Sequence, residues 1–588
     1  MKRNYFKYLL QAVVLLCTSL VVSSCDDVFA SEDNPIASYL SMSDKAVTIK
    51  AGETYKRTAI AVSDAVIEYS SSDVAVATVD QSGTVTGVAA GTTTITAKAT
   101  GYSTGGKKIF VEEEKKYEVT VTGGAVYRVY TSATAYTDEA IPEDAITVES
   151  STAAVSWSAG TYVVEDDVTI TGDITLTGDV NLILCDGAEL TVNGKIDGDT
   201  NDKSLYIYGQ DLSTGKLTID ANGGGFDIVV QELYIHGGDI SATNADQAIE
   251  TAGLFRTYHG NVNASGVYNG LMILNDLNMD GGSITASSTN GAAVSVYNSY
   301  LSITNGSLTA TTTAPMAAGI DVTHDINISG GTVIATGGDN PSGNGGYGIY
   351  CFDGDVTISG DANVTATGGN GSGVGSIGGH GIYVNVDKSI IIEGGTVNAT
   401  AGDGTGSGGY ALITDDGSTG RINITGGNVT ATATGTYGVG ICTKDLSIGQ
   451  SGKNPTVNAT GAMEGIYAST ITIETGTTTA TATGYTCIGI EGTIVINNGK
   501  LIAIGGDAAP GSNNDGGAGI DGTLTVHNGE VTATGGAKDG TGDDGTGISV
   551  GTTITLDAGI TMYEGTSPDP TTPATSQTQC SKRYAIIK

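Results

Sequence analysis

The sequence predicts an all-β protein, a short N-terminal β-sandwich followed by a long right-handed parallel β-helix. Three observations carry this. The chain is 39% hydrophobic and 15% charged with 89 glycines among 588 residues, which is too apolar for disorder and too glycine-rich for helices. Residues 45–122 hold many short strand-like runs at close spacing. From about residue 160 one phrase recurs to the end, at a period far too short for a domain and right for one supersecondary unit.

The amino terminus sets an address. Lys2, Arg3 and Lys7 precede the apolar run "YLLQAVVLLCTSLVV", which is too short for a comfortable membrane span. "VVSSC" closes it at Cys25. This stretch resembles a bacterial lipoprotein signal, with residues 1–24 removed and Cys25 acylated as the mature N-terminus. Asp26, Asp27, Glu32 and Asp33 follow within a polar tether, residues 25–38. That acidic start resembles the export signal of outward-facing surface lipoproteins. The expected location is therefore the outer membrane, lipid-anchored and facing outward. A net charge of -37 works against nucleic acid as a partner and leaves room for divalent cations. The remaining cysteines are scattered and contain no CxxC, so zinc and redox motifs are absent and small buried thiols are expected.

The first folded unit is expected over residues 39–122. Its strands include "KAVTI", "VIEYSSSD", "GTVTGVAAG", "TTTITAKA" and "KYEVTVT". The stretch from Ile67 to Ala97 resembles the group 2 bacterial immunoglobulin-like domain, through Ser72-Asp73, Ala77-Thr78-Val79-Asp80, Gly83 and Val85-Thr86-Gly87-Val88-Ala89-Ala90-Gly91. Tyr69 stands where that family usually has tryptophan. The resemblance implies an immunoglobulin-like spacer with no catalytic residues. Residues 123–158 read as a linker and cap.

The repeated phrase fills residues 159–563. Its first part is GG-x-V-x-A-T, as in "GGTVIAT" at Gly330, "GGTVNAT" at Gly394 and "NGEVTAT" at Asn528. Its second part is Gly-Ile plus a short strand, as in "GIYC" at Gly348 and "GIYV" at Gly381. A third short strand such as "VTIS" or "INIT" precedes the next GG. Three strands and three turns make one coil. Roughly 400 residues at some 28 per coil give about fourteen coils over about 65 Å at the interstrand spacing. Alternation turns Val531 and Ala533 inward and Thr532 and Thr534 outward. The outward threonines form an array that suits ice binding in outline, but threonine is simply a good exposed strand residue. "AGTYVVEDDVTITGDITLTGDVNLILCDGAELTVNGKI", with the repeats after it, resembles carbohydrate-binding β-helix domains of anaerobic bacteria. That implies glycan binding without naming the glycan. Residues 564–588 read as a Pro/Thr-rich linker and a terminal strand, "KRYAIIK", that pairs back over an open coil edge.

Function follows from what the coils display. Parallel β-helices host polysaccharide lyases and hydrolases, which need clustered carboxylates with Arg, Lys or His. Here bases are sparse and Asp415-Asp416 is the best acid pair, so no catalytic residue is assigned and the expected protein is not an enzyme. Tyr350, Tyr383 and Tyr467 each follow Gly-Ile and point outward if the isoleucines point in. Tyr347 and Tyr437 lie just before that strand. Together they form the candidate carbohydrate-binding face, because tyrosine rings stack on sugars at low entropic cost. Substituting Tyr350, Tyr383 or Tyr467 is expected to change folding stability barely, unlike Val531→Asp, which buries an unpaired charge. The long loops all leave at the corner between "TAT" and Gly-Ile. In the last, Asp539, Asp543 and Asp544 offer oxygen ligands to Ca²⁺, the one cofactor the sequence leaves open. The sequence thus reads as a non-catalytic surface lipoprotein that binds a polysaccharide or surface glycan, or acts as an adhesin. The alternatives are a structural surface protein with no specific ligand, and a polysaccharide lyase or hydrolase.

Overall fold

The computed structural model describes residues 36–588, apart from 38–39, 62–64, 89–90, 102–109, 123–125, 222, 386 and 416–418. The signal, Cys25 and most of the tether lie outside the described residues, as does Asp416. The chain divides into a unit ending at Tyr127 and a second running from Arg128 to Lys588, with Cys185–Gly187 and Gln210–Leu212 grouped with the first.

The first unit is built on two main β-sheets, with two short two-stranded pairings beside them. Val47–Lys50, Glu113–Thr122, Gly91–Gly101 and Ala65–Ser71 form one sheet in that order, and Thr54–Lys56, Thr84–Gly87 and Ala77–Val79 form another. Strict alternation along Glu113–Thr122 buries Tyr117, Val119 and Val121 with Ile95, Ala97 and Val85. Tyr69 is buried in this core, and its hydroxyl accepts a hydrogen bond from the Ala59 amide at 2.6 Å. It supplies the large ring expected of it and satisfies its own polar tip. Gly83 has a φ of +80°, and a Cβ there would sit 2.9 Å from the Tyr69 ring. The glycine and the tyrosine therefore specify one another.

The second unit is a parallel β-helix. One continuous sheet of 43 strands runs from Ile146–Thr147 to Tyr584–Ile587. Parallel pairing reaches back to Ile146, upstream of the expected start at residue 159. Strands generally pair with the strand one coil away, and the pairing is parallel up to Thr553–Leu556. Inward columns from all three strands of each coil fill the interior, among them Ile326, Val356, Ile390 and Ile422. Ile320, Ile349, Ile382, Leu412, Ile441 and Ile466 stack in register with no exposure. Leu308, Val333, Val364, Val397 and Val429 do the same on another face, and the alanines two residues on form a third line beside them. Val531 and Ala533 are fully buried while Thr532 and Thr534 are partly exposed, so the predicted strand phase holds.

The phrase's glycines have distinct causes. In Gly-Ile, a Cβ on Gly348 would lie 2.6 Å from the Gly381 carbonyl oxygen on the next coil. Gly395, the second of its pair, has a φ of +75°, which only glycine adopts without strain. Coil length is uneven: Val457 lies beside Thr478, whereas Val364 lies beside Val397. Many of the extra residues enter at the loop corner, and others enter at the remaining corners, as between Ile448 and Val457. Among the described residues, register shifts are confined to Thr243–Gln247 and Tyr467–Thr470.

Thr478 replaces the valine of its column. It is fully buried, and its hydroxyl has no hydrogen-bond partner. At the C-terminal end, Tyr584–Ile587 turns back antiparallel against Glu530–Thr534 and Met562–Gly565. The terminal strand thus covers an open coil edge, as its sequence suggests. Cys185, Cys351 and Cys580 are buried, Cys442 and Cys487 are half-buried, and all five are free thiols.

Candidate functional site

Register places one outward column along the Gly-Ile strands. Reading along the stack, it runs Glu250, Met272, Ser295, Asp321, Tyr350, Tyr383, Ile413, Cys442, Tyr467, Glu491 and Asp521. Tyr350 and Tyr383 are direct neighbours. Tyr467 lies three rungs further along, about 14 Å at the interstrand spacing.

The structure brings Tyr347, Tyr350 and Tyr383 into one cluster and adds His380 and Tyr410. Tyr350 and Tyr383 stack with centroids 5.3 Å apart and planes 17° apart. Tyr347 stacks on His380 at 5.3 Å and 4°, and His380 stacks on Tyr410 at 5.3 Å. Tyr347 meets Tyr383 edge-on at 5.1 Å. These are two short ladders side by side, each ring covering a face of the next. All the rings are half-buried, so replacing Tyr350 or Tyr383 removes real packing, contrary to the expectation that folding stability would barely change. Tyr467 is 42% exposed and Tyr437 is 60% exposed. Tyr437 sits in a turn at a φ of +61°, away from the column.

Burial shapes the electrostatics here. The Tyr410 amide donates to His380 Nδ1 at 2.9 Å, so the neutral ring carries its proton on Nε2. Loss of hydration pushes the His380 pKa down to about 4. The Tyr383 hydroxyl donates to Asp415 Oδ2 at 3.3 Å. Burial, reinforced by Asp321, pushes Tyr350 up to about 12. Asp321 is itself raised to about 6 by burial alone. His380, Tyr350 and Asp321 are each shifted toward the neutral form, and the described residues bring no cation into the cluster.

The loop carboxylates have other tasks. Asp539 Oδ2 accepts from the Asn513 amide at 3.1 Å. Asp544 Oδ1 accepts from the Lys538 amide at 3.0 Å and lies 3.7 Å from the Arg583 guanidinium. The Asp543 amide donates to Asp515 Oδ1 at 2.7 Å. The Asp539 and Asp515 carboxylates tie the last loop to the one before it, the Asp544–Lys538 contact lies within the last loop, and Asp543 takes part through its backbone amide. Among the described residues no group of three or more His, Cys, Asp or Glu side chains is arranged to hold a metal.

Two groupings escaped sequence reasoning. Glu464 is 4% exposed and pairs with Glu491. Burial first, then the second carboxylate, raises Glu464 to about 7, so this pair holds a proton near neutrality. The two residues belong to different coils, and only the register shows them together. Nearer the first coils, Tyr206 stacks on Tyr234 at 4.7 Å, and Arg256 occupies the next rung, bound to Asp280 at 2.6 Å. Beside them Tyr208, His236 and Tyr258 form a second stack at 4.7 Å spacing. Aligning "LYIYG" with "LYIHG" would have found these, because the words are nearly identical.

No curated protein matches the chain. Residues 38–108 match the family model of the bacterial Ig-like domain (group 2), a match that lies within the N-terminal unit, ends before the strand Glu113–Thr122 and includes none of the coils.

Proposed function

We propose that this is an outer-membrane surface lipoprotein whose β-helix binds carbohydrate, or serves as an adhesin, without catalysis. The observation that carries the reading is the Tyr350–Tyr383 column, with Tyr347 beside it and the exposed Tyr467 further along the same line. Sugar rings present apolar C–H faces and a polar rim, which match the tyrosine rings and their phenol hydroxyls. Ig-like domains suit a spacer role, and Cys25 supplies the anchor in this reading. Ca²⁺ is a proposed accessory only at the loop corner. The test is a glycan array probed with the mature chain, with and without EDTA, followed by titration of Tyr350→Ala and Tyr467→Ala against any glycan captured. Loss of one anchor costs about 1–2 kcal/mol, roughly five- to thirtyfold in affinity. Unchanged binding by both variants rejects the column as the site. For the anchor, Cys25→Ala leaves an unprocessed, unlabelled precursor; lipid labelling of that variant rejects it.

A second reading has its own support. Because the tyrosines stack chiefly on each other, the ladders also serve simply as packing for a structural surface protein. An array on which the chain captures no glycan favours that reading.

A further inference from the structure

The ladder has an end. Tyr383 covers one face of Tyr350, and on the other side the next rung carries Asp321. Asp321 is half-buried, yet its carboxylate makes no hydrogen bond and no ion pair among the described residues. Several acids elsewhere in this unit are partnered, although Glu250 on the same column, also half-buried, is not. Asp280 holds Arg256, Asp197 holds Lys195 at 2.8 Å, and Asp415 accepts from Tyr383. The neighbours of Asp321 supply no compensating charge. Ser295 occupies the preceding rung and Tyr350 the following one. An unpartnered carboxylate withdrawn from water beside an aromatic face costs stability unless something external pairs with it. The complementary chemistry is a cation, which gains both the carboxylate and the electron-rich ring face. The overall charge of -37 draws cations toward the surface.

We infer that Asp321 and the Tyr350 ring on the adjoining rung form a subsite for a protonated amine, so that the ligand of this column is an amine-bearing glycan, with free amino-sugar units. This rests on the carbohydrate-binding reading above and narrows it to one class. An ammonium group seated on Tyr350 donates to the Asp321 carboxylate, and the attached sugar continues along Tyr350 and Tyr383. Acidic glycans are disfavoured, because Asp321, Asp415 and Glu491 repel them.

The experiment titrates the mature chain at about pH 6.5 with a β-linked glucosamine hexasaccharide and with its fully N-acetylated counterpart. Asp321→Asn is nearly isosteric, and Asp569→Asn, at an exposed site far along the sequence, controls for loss of one negative charge. The expected result is roughly tenfold tighter binding of the free-amine form. Asp321→Asn abolishes that preference and leaves the acetylated form's affinity unchanged, while Asp569→Asn preserves it. Thermal melts of Asp321→Asn, expected at or above the parent's, show that the fold is intact. Equal binding of both forms, or the same loss in Asp569→Asn, overturns the amine subsite while leaving glycan binding standing. Capture of no glycan of any class on the array removes the underlying reading instead.

Discussion

The C-terminal strand offers the sharpest test of how the coils hold together. Ile587 is fully buried and lies opposite Val531 on one side and Met562 on the other, both also fully buried. Ile587→Ala removes three carbons from a closed site. Such truncations cost about 2–5 kcal/mol, and the lower half applies where an end can relax, so about 2–3 kcal/mol is expected. Each coil contacts mainly its neighbours, so the loss stays local. It frees Tyr584–Ile587 and exposes the edge of Glu530–Thr534. Hydrogen exchange read by mass spectrometry checks this directly. Amides in 525–565 should exchange roughly 30- to 150-fold faster, the change expected from 2–3 kcal/mol of local opening. Amides around Val397 and Val429, several coils away, should be unaffected. The exposed edge should also make the variant more prone to aggregate. Uniform loss of protection along the stack, or none at all, refutes a nearest-neighbour stack closed by this strand.

Thr478→Val fills the valine column with a matching shape and removes a buried hydroxyl that has no partner, so the protein should gain about 1–2 kcal/mol in denaturant melts. Glu464 has a folded pKa of about 7, above its ordinary value, so its contribution is complete in acid and is lost as pH rises through about 7. Buried Asp227, also raised to about 7, acts in the same direction. His380 and His236, both lowered to about 4 by burial, act the opposite way below about pH 6.5. Thermal stability should therefore fall from about pH 6.5 to pH 8, and Glu464→Gln should remove part of that slope; an unchanged slope refutes the assignment. Tyr383→Ala should lower stability by about 1–3 kcal/mol, since it strips ring contacts from Tyr350, Tyr347 and His380, whereas Tyr467→Ala should leave the melt unchanged. Equal melts for both variants would show that the ladder is not packing.

The repeating fold was legible because its signals are local. Val531 and Ala533 declare their orientation within five residues, and the glycine of Gly-Ile announces a close backbone approach at the coils that carry it. The role of Tyr69 was legible for the same reason, within one recognisable run. The site was legible only in part. That Tyr350 and Tyr383 point outward follows from strand alternation. That they stack on each other depends on which coil lies above which, and loops of unequal length hide this from any fixed spacing. Glu464 and Glu491 show the difficulty most clearly. Each looks like an ordinary strand or loop acid, and the shared proton exists only because two coils place them together. Asp321 likewise gave no signal in sequence, since its isolation is a property of what surrounds it.

The parallel ladder has a mechanical corollary. Its backbone hydrogen bonds join one coil to the next, so they lie roughly along the axis of the stack rather than across it. Tension applied between the two ends of the β-helix therefore loads a single rung at a time, as in opening a zipper, instead of shearing many bonds together. Each coil that detaches feeds out about 28 residues, roughly 95 Å of extended chain. The remaining coils stay closed because their own neighbours are intact. Under load such a stack lengthens in discrete steps at low, nearly constant force, and it re-forms from the surviving edge, which presents a ready template for the next strand.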